Sequence, residues 1–260
     1  MTVDPRWLEN ARALGPVLSE RRAACEAASC VGKDTIQDLH DAGLWRLLQP
    51  ARYGGTEAHP NTFLACQMAI AKHCPSTAWV YGVVGVHAWQ LALFDAQAQD
   101  DVWRDDPTTL VSSSYAPTGK VTRVEGGFEV SGRWHFSSGS EHCQWAFLGG
   151  FAPPQEGAPP GPPDMRTFLL PRADYTIAEN WDVAGLKGTG SHDVVVDGAF
   201  VPDYRTHKMG DGFRLNSPGN AINTAPLYKI PFGLLFTRSV STTAIGILEG
   251  ALEAYLSVAR

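Results

Sequence analysis

The spacing of apolar residues changes along this chain of 260 residues, and the order of patterns constrains the fold more than any single motif. Residues 5 to about 106 carry helical spacing, whereas residues 108 to about 205 show the period of two that strands require. A helical stripe returns from about Phe236. We therefore predict an α+β protein with three parts: an N-terminal α-helical domain over 1–107, a central β-barrel or sandwich domain over 108–205, and a loop with the first helix of a further, incomplete helical bundle over 206–260.

Boundary signals divide the N-terminal part into helices. A first helix carries apolar residues from Trp7 to Cys25. Asp34, with Gln37 three residues later, is a candidate N-cap of the next helix, and Gly43 stands where that helix would stop. Prolines suit the first turn of the two helices that follow. The remaining helices are predicted over 60–73, 75–94 and 95–103.

Period-two patterning predicts seven strands in the central part. Turn residues such as Gly126 and Gly127 separate the strands. Residues 153–164 are rich in proline and glycine and predict a surface loop without chemistry of its own. The candidate strands are 109–115, 119–125, 128–137, 143–151, 166–170, 175–180 and 192–200.

The end of the third predicted strand and the two residues after it have the sequence SGRWHFSSG, residues 131–139. Alternation places Trp134 and Phe136 on one face, and if it continues, Ser138 joins them while Ser137 points the other way. A small hydroxyl on an aromatic face is suited to the polar edge of a planar cofactor. Taken alone, the segment is equally compatible with a strand that ends in a Ser-Ser-Gly turn.

Charge and composition exclude several classes of protein. The formal net charge of −6 and the absence of a basic run argue against binding to nucleic acid. No apolar stretch reaches the length needed to span a membrane, and the N-terminus has no apolar signal-peptide core. The five cysteines are odd in number and lack metal-site spacing, which indicates reduced thiols in a cytoplasmic protein and no metal site.

The final helix has no stop signal before Arg260. We therefore expect that a second helical domain begins with this helix and has been cut off at the end of the given sequence. The apolar stripe of this helix consists of Ile245, Leu248, Leu252, Tyr255 and Leu256.

Six sequence segments, which follow one another in the same order as in a known family, give this chain a resemblance to that family. They cover essentially the whole chain and are more specific than a lone glycine motif. The chain resembles the oxygenase components of two-component flavin-dependent phenol monooxygenases, which share the acyl-CoA dehydrogenase fold, and most closely the branch that hydroxylates the phenolic A-ring of secosteroids. The segments are LLQPARYGG (47–55), STAWVYGVVGVHAWQLALF (76–94), SSSYAPTG (112–119), WHFSSGSEHCQW (134–145), GLKGTGSHDVVV (185–196) and APLYKIPFG (225–233).

The resemblance implies a reaction and its partners. Reduced FMN, with FAD as the alternative, would react with molecular oxygen to give a C4a-hydroperoxide that attacks a ring carbon ortho to a phenol. The sequence has no nicotinamide-binding fingerprint, so reduced flavin would come from a separate NAD(P)H-dependent reductase. The family also implies a homotetramer, and a second catalytic histidine that lies in the helical bundle beyond the present sequence.

The same resemblance implies roles for residues of the helix and the first strand. His87 matches a histidine that lines the phenol pocket and would hydrogen-bond the substrate oxygen, although a histidine on an apolar helix is often a core residue. Ser113 would hydrogen-bond the phenol, while Ser112 and Ser114 would approach the flavin. Without the family, these serines indicate only a serine-rich strand end. Trp79 would lie near the flavin, although a buried tryptophan is usually part of the core.

Four further positions complete the implied flavin site. Ser138 would place its hydroxyl at flavin N5, with Phe136 and Ser137 beside the ring. A neutral hydroxyl is a weak acid and does not readily deliver a proton to N5. Lys229 is aligned with an arginine near the flavin, but it is equally compatible with a solvated surface lysine. Residues 188–191, GTGS, lack the context of a phosphate loop and indicate a turn in the β-domain.

Two alternative functions are also compatible with this fold or this sequence. An acyl-CoA dehydrogenase or flavin N-oxygenase has the same architecture, but SSSYAPTG departs from the Thr-Glu-Pro type of word that dehydrogenases have there. A homologue without activity, which only oligomerises or binds a partner, is the non-enzymatic alternative. Fold alone does not decide the substrate.

Overall fold

Helices make up the first 103 residues, as the spacing predicts. The computed structural model describes residues 3–154, 157 and 161–259. Two of the predicted helices, those that open at prolines, end within three residues of their predicted limits. The helices of this part are α1 Pro5–Ala13, α2 Gly15–Ala28, α3 Lys33–Asp41, α4 Pro60–Ala71, α5 Pro75–Leu91 and α6 Ala96–Trp103.

Two details of the helix prediction were wrong. The first helix is split at Leu14, next to Pro16, which has no N–H to continue the hydrogen-bond pattern. Gly32, not Asp34, is the N-cap of α3, and Asp34 lies in the first turn, where a carboxylate interacts favourably with the helix dipole. Gly43 does follow the end of α3, in the left-handed conformation with φ 73°.

The central part forms two four-stranded sheets that face each other as a sandwich. One sheet has the order β1-β4-β5-β8 and the other β2-β3-β7-β6. The β1–β4 pair is parallel, and all other pairs are antiparallel. The strands are β1 Val111–Ser114, β2 Lys120–Val124, β3 Gly127–Ser137, β4 Trp145–Ala152, β5 Asp164–Pro171, β6 Thr176–Ala178, β7 His192–Pro202 and β8 Thr206–Lys208.

The sandwich contains one strand more than the prediction. Strand β8 was not predicted, because three residues are too few for a period to be recognised. The predicted loop 153–164 connects β4 to β5, and its residues 155–156 and 158–160 lie outside the described part of the chain. The core between the sheets is apolar, with Phe128, Trp134, Leu148, Phe168 and Val194 fully buried.

The predicted alternation of β3 breaks before its end. Trp134 is fully buried and donates from Nε1 to the carbonyl of Gly149 at 2.8 Å, whereas Phe136 is 69% exposed. The two residues therefore do not share a face, and that prediction was wrong. The pairing of β3 with β7 shifts register between Trp134 and Ser137, and Phe136 has φ 66°, which marks an irregularity of the β-bulge type.

Two more helices follow the sandwich, α7 Met209–Arg214 and α8 Phe232–Val258. Helix α8 begins four residues before the predicted start, directly after its N-cap Pro231. Its first half packs against α4 and α5, where Gln67 Nε2 donates to the Ser239 carbonyl and to Thr243 Oγ1, each at 2.6 Å. The predicted apolar stripe, from Ile245 to Leu256, lies in the second half and is exposed. Among the described residues, no helix combines the length and apolar character required to cross a membrane.

Helix α5 is apolar on nearly all sides because it lies at the centre of the molecule. It contacts α4 and α8 on one side and β1 on the other. Its side chains therefore reach both the helical core and the open edge of the sandwich. This position brings Trp79 and His87 of one helix close to the strand ends.

Candidate active site

A cleft of about 260 Å³ opens where α5, the ends of β1 and β3, and α8 meet. Apolar and aromatic side chains form most of its wall, and hydroxyl groups line one edge. This composition is typical of a site for a small planar molecule. The residues at the cleft that the sequence had singled out are Trp79, Ser113, Ser114, Phe136 and Ser138; Tyr115, His135, Phe236 and Val240 also line it.

Ser138 lies at the hydroxyl-lined edge of the cleft and is hydrogen-bonded on two sides. Trp79 Nε1 donates to Ser138 Oγ at 3.0 Å, and Ser138 Oγ is 2.7 Å from Ser191 Oγ. Ser191 Oγ is in turn 2.7 Å from Thr189 Oγ1, which donates to the carbonyl of Leu186 at 2.9 Å. Four hydrogen bonds thus connect the cleft to a buried turn before β7.

The backbone of residues 186–191 brings these hydroxyls together. Gly190 adopts the left-handed conformation with φ 52°, which favours glycine, and it places Thr189 and Ser191 with their hydroxyls in contact. The N–H of Gly139 donates to the carbonyl of Thr189 at 2.9 Å and joins this turn to the end of β3. A side chain at Gly188 would collide with Cys25 of α2, so the turn is held tightly against the helices.

His87 is buried on α5 and does not itself line the cleft. Its Nδ1 donates to the carbonyl of Val111 at 2.6 Å, which leaves Nε2 as the acceptor of the neutral ring. Burial lowers the pKa of His87 to about 4, although the hydrogen bond to Val111 opposes this shift. Within the described part of the chain, Nε2 has no hydrogen-bond partner. A buried acceptor without a partner is costly, so this atom is a candidate contact for a ligand.

Tyr115 lies between His87 and the cleft. The two rings meet edge to face with centroids 6.2 Å apart, and Phe147 packs on His87 at 5.4 Å. Burial raises the pKa of Tyr115, while hydrogen bonds from Ser113 and with Gln90 lower it to a smaller extent. The structure therefore places both His87 and Ser113 next to Tyr115, His87 at its ring and Ser113 near its hydroxyl.

The remaining predicted residues differ in their distance from the cleft. Ser114 lines it and donates from Oγ to the carbonyl of His135 at 2.7 Å. Ser112 and Ser137 are fully buried, do not line it, and their hydroxyls have no partner among the described residues. Lys229 is exposed at the end of a 3-10 turn and also lies apart from the cleft. For Ser112, Ser137 and Lys229, the cofactor role stays a prediction.

Comparison with known proteins identifies the family of this chain. The family described as acyl-CoA dehydrogenase, N-terminal domain, matches residues 11–105. The oxygenase subunit HsaA of a flavin-dependent monooxygenase from Rhodococcus jostii (strain RHA1) is 43% identical over 94% of this chain. The crystal structure of the HsaA monooxygenase from M. tuberculosis superposes with a TM-score of 0.93, at 39% identity, over 97% of this chain and 68% of that one. The chain belongs to the flavin-dependent oxygenase subunits of the acyl-CoA dehydrogenase fold.

Within this family the chain is also similar to a more distant member. The oxygenase component of p-hydroxyphenylacetate 3-hydroxylase from Acinetobacter baumannii is 32% identical, over 95% of this chain and 58% of that protein. The chain spans 63% of the length of the R. jostii oxygenase subunit. The predicted family and fold class are thereby confirmed.

The sequence analysis missed two residues of this oxygenase-family site. It interpreted residues 188–191 only as a turn, which they do form, and assigned no role to Thr189 or Ser191. The available signal was a pair of hydroxyl residues on either side of Gly190. A glycine in the left-handed conformation turns its two neighbours to the same side, but their contact with Ser138 is not visible in the sequence.

Proposed function

We propose that this chain belongs to an oxygenase that hydroxylates a phenol ortho to its hydroxyl group. Reduced FMN, with FAD as the alternative, and molecular oxygen would be its co-substrates, and a separate NAD(P)H-dependent reductase would supply the reduced flavin. The names of its relatives support this, since they are an oxygenase subunit of a flavin-dependent monooxygenase and an oxygenase component of a phenol hydroxylase. They do not support the dehydrogenase alternative.

The observation that carries the proposal is the hydrogen-bonded Ser138 at the edge of an aromatic cleft. A flavin ring is flat, apolar on its faces and polar along one edge. Trp79 and Phe136 supply aromatic surface, and Ser138 supplies a fixed hydroxyl at the height of that edge. The residues present therefore fit a flavin with N5 beside Ser138. Bound reduced flavin would supply the activated oxygen for transfer to the aromatic ring.

His87 would hold the hydroxyl group of the substrate. Because its Nδ1 is committed to the Val111 carbonyl and its pKa is low, Nε2 accepts a hydrogen bond at neutral pH. It would orient the phenol and draw electron density toward the oxygen as the O–H bond lengthens. Ser113, which lines the cleft, would form a second hydrogen bond to the phenol. The ring carbon ortho to the hydroxyl would then face the flavin.

Aromatic side chains would keep water away from this reaction. Tyr115 meets Phe236 edge to face at 5.0 Å, and Phe236 stacks on Phe232 at 5.3 Å. Tyr115 directly follows β1, Phe232 and Phe236 belong to α8, and the three rings would close the cleft on the side of the helices. Exclusion of water favours oxygen transfer to the substrate over loss of hydrogen peroxide.

Several finer assignments are part of the proposal. Ser114, Phe136, Ser112, Ser137 and Lys229 are assigned to the surroundings of the flavin, and of these only Ser114 and Phe136 line the cleft. We also assign a bulky, steroid-like phenol as substrate, a homotetramer as the assembly, the cytoplasm as the location, and domain limits at 107 and 205.

A coupling experiment tests this function. The full-length protein, reduced FMN and a phenol are mixed with oxygenated buffer, and hydroxylated product is compared with hydrogen peroxide. We expect His87→Ala to keep flavin binding and to lose most of the product. His207→Ala is the matched control, because His207 is equally buried but contacts Ser217 Oγ through Nε2 and packs against Phe94, not against Tyr115 of the cleft wall.

The outcomes separate the alternatives. If His87→Ala formed product at the wild-type level, this result would contradict the role assigned to His87 but not the proposed function. A wild-type protein that binds no reduced flavin would contradict the function and favour a non-enzymatic homologue. Stable binding of FAD with oxidation of an acyl-CoA would favour the dehydrogenase.

A further inference from the structure

The four hydrogen bonds behind Ser138 have only one direction in which all of them form. The Trp79 indole N–H at one end can only donate, and the Leu186 carbonyl at the other end can only accept. Three hydroxyls lie between them, each with one hydrogen to give. Every link is made only if Ser138 donates to Ser191, Ser191 donates to Thr189, and Thr189 donates to Leu186.

Burial prevents water from replacing these links. Ser191 and Thr189 are buried beneath the turn, and Ser138 is 8% exposed. If the chain of hydroxyls ran the other way, the Ser138 hydrogen would enter the cleft and the Leu186 carbonyl would keep only the N–H of Trp181 Nε1 and its own turn's Thr189 N–H, each at 3.2 Å. The first direction therefore forms one more hydrogen bond within the protein than the reverse direction, and it is favoured by about the free energy of that bond.

This direction decides what Ser138 can offer to a ligand. Its hydrogen points to Ser191, and one of its two lone pairs accepts the Trp79 N–H. The remaining lone pair is the group that Ser138 presents to the cleft. Ser138 therefore acts there as an acceptor and not as a donor.

We propose that Thr189 and Ser191 are positioning residues that make the site select reduced over oxidised flavin. The inference rests on the proposed function, in which flavin N5 lies beside Ser138. Reduced flavin carries a hydrogen on N5 and can donate it to the free lone pair. Oxidised flavin has a lone pair on N5, which faces the lone pair of Ser138 without a hydrogen between them. The site thus retains the form that the reductase delivers and releases the spent form.

The test measures binding of both forms of FMN without turnover. Dissociation constants for reduced FMN, under anaerobic conditions, and for oxidised FMN are determined by titration of the full-length protein. Thr189→Val removes the acceptor of the Ser191 hydrogen at nearly constant volume. Ser191 then donates back to Ser138, whose own hydrogen turns into the cleft. We expect the preference for reduced FMN to fall about tenfold, the usual effect of one hydrogen bond, or about 30 mV in the two-electron midpoint potential.

Two further variants control for the fold. Ser191→Ala removes the acceptor of the Ser138 hydrogen directly and is expected to lower the preference to a similar extent. Thr189→Ser keeps the hydroxyl and is expected to keep the wild-type preference. Thermal unfolding confirms that each variant is folded.

An unchanged ratio of the two dissociation constants in both Thr189→Val and Ser191→Ala, with flavin still bound, would overturn the inference and leave the proposed function intact. A wild-type protein that binds neither form would overturn the proposed function together with the inference.

Discussion

Burial of a neutral histidine makes the stability of this protein depend on pH. The pKa of His87 is about 4 in the folded protein, against about 6.5 in an unfolded chain. Between these values the unfolded chain binds a proton that the folded protein does not, so stability falls as pH decreases through 6.5 and levels off below 4. At pH 8 both states are neutral. At pH 5 the difference in proton binding costs about 2 kcal/mol in the free energy of unfolding.

The assay is urea unfolding of wild type and His87→Gln at pH 8 and pH 5. Glutamine keeps a donor for the Val111 carbonyl but does not titrate. We expect the variant to lose about 2 kcal/mol less than wild type between the two pH values. His207→Gln is a matched comparison, because burial also lowers the pKa of His207 to about 4, and its expected effect has the same size.

Equal losses in wild type and His87→Gln would refute the reasoning. His87 would then bind its proton in the folded protein as readily as in the unfolded chain. In that case Nε2 would carry a hydrogen under mildly acidic conditions and would not be the free acceptor on which its proposed contact with the phenol depends.

Three further substitutions test the structure around the site, each by urea unfolding. Gly190→Ala is expected to cost about 1–2 kcal/mol because of its positive φ and the Ser29 carbonyl 3.1 Å from the new Cβ; Gly198→Ala, which also has positive φ but open space, should cost less if that contact matters. Trp134→Phe is expected to cost about 2–3 kcal/mol, since it leaves the buried Gly149 carbonyl unpaired, and a loss below about 0.5 kcal/mol would contradict this. Asp193→Asn removes the buried charge that accepts from Arg133 Nε at 2.6 Å and is expected to destabilise by about 1–3 kcal/mol, whereas the exposed Asp182→Asn should have little effect.

Local signals predicted the elements of this fold better than its contacts. Prolines placed the starts of α4 and α5 because a proline in the first turn acts through its own backbone. The break in β3 at Phe136 was missed because a shift of register depends on the partner strand, which period-two counting does not include. The start of α8 was placed four residues late for a related reason. Its first residue, Phe232, packs against Trp89 of α5 and Tyr115 just after β1, and this burial is not visible in the spacing alone.

The candidate site shows the same limit. Trp79 and His87 came from the resemblance, since a helix that is apolar on all sides gives no amphipathic pattern to mark its functional face. Ser138 was placed at the cleft, but its partners Ser191 and Thr189 lie more than fifty residues further along the chain. No local rule connects residues at such separation. Ser112 and Ser137 are serines, like several residues that line the cleft, but they are fully buried. Only the tertiary structure reveals this difference.

The hydroxyl chain behind Ser138 also has a consequence for how the protein folds. It joins segments that are 59 and 53 residues apart, so two long loops must close before it exists. Contacts of such range form slowly and belong to the finished topology, with the strands already docked on the helices. A partly folded chain therefore lacks the proposed flavin site. Flavin would stabilise only the native state, and its uptake during refolding would report the moment at which sheet and helices have assembled.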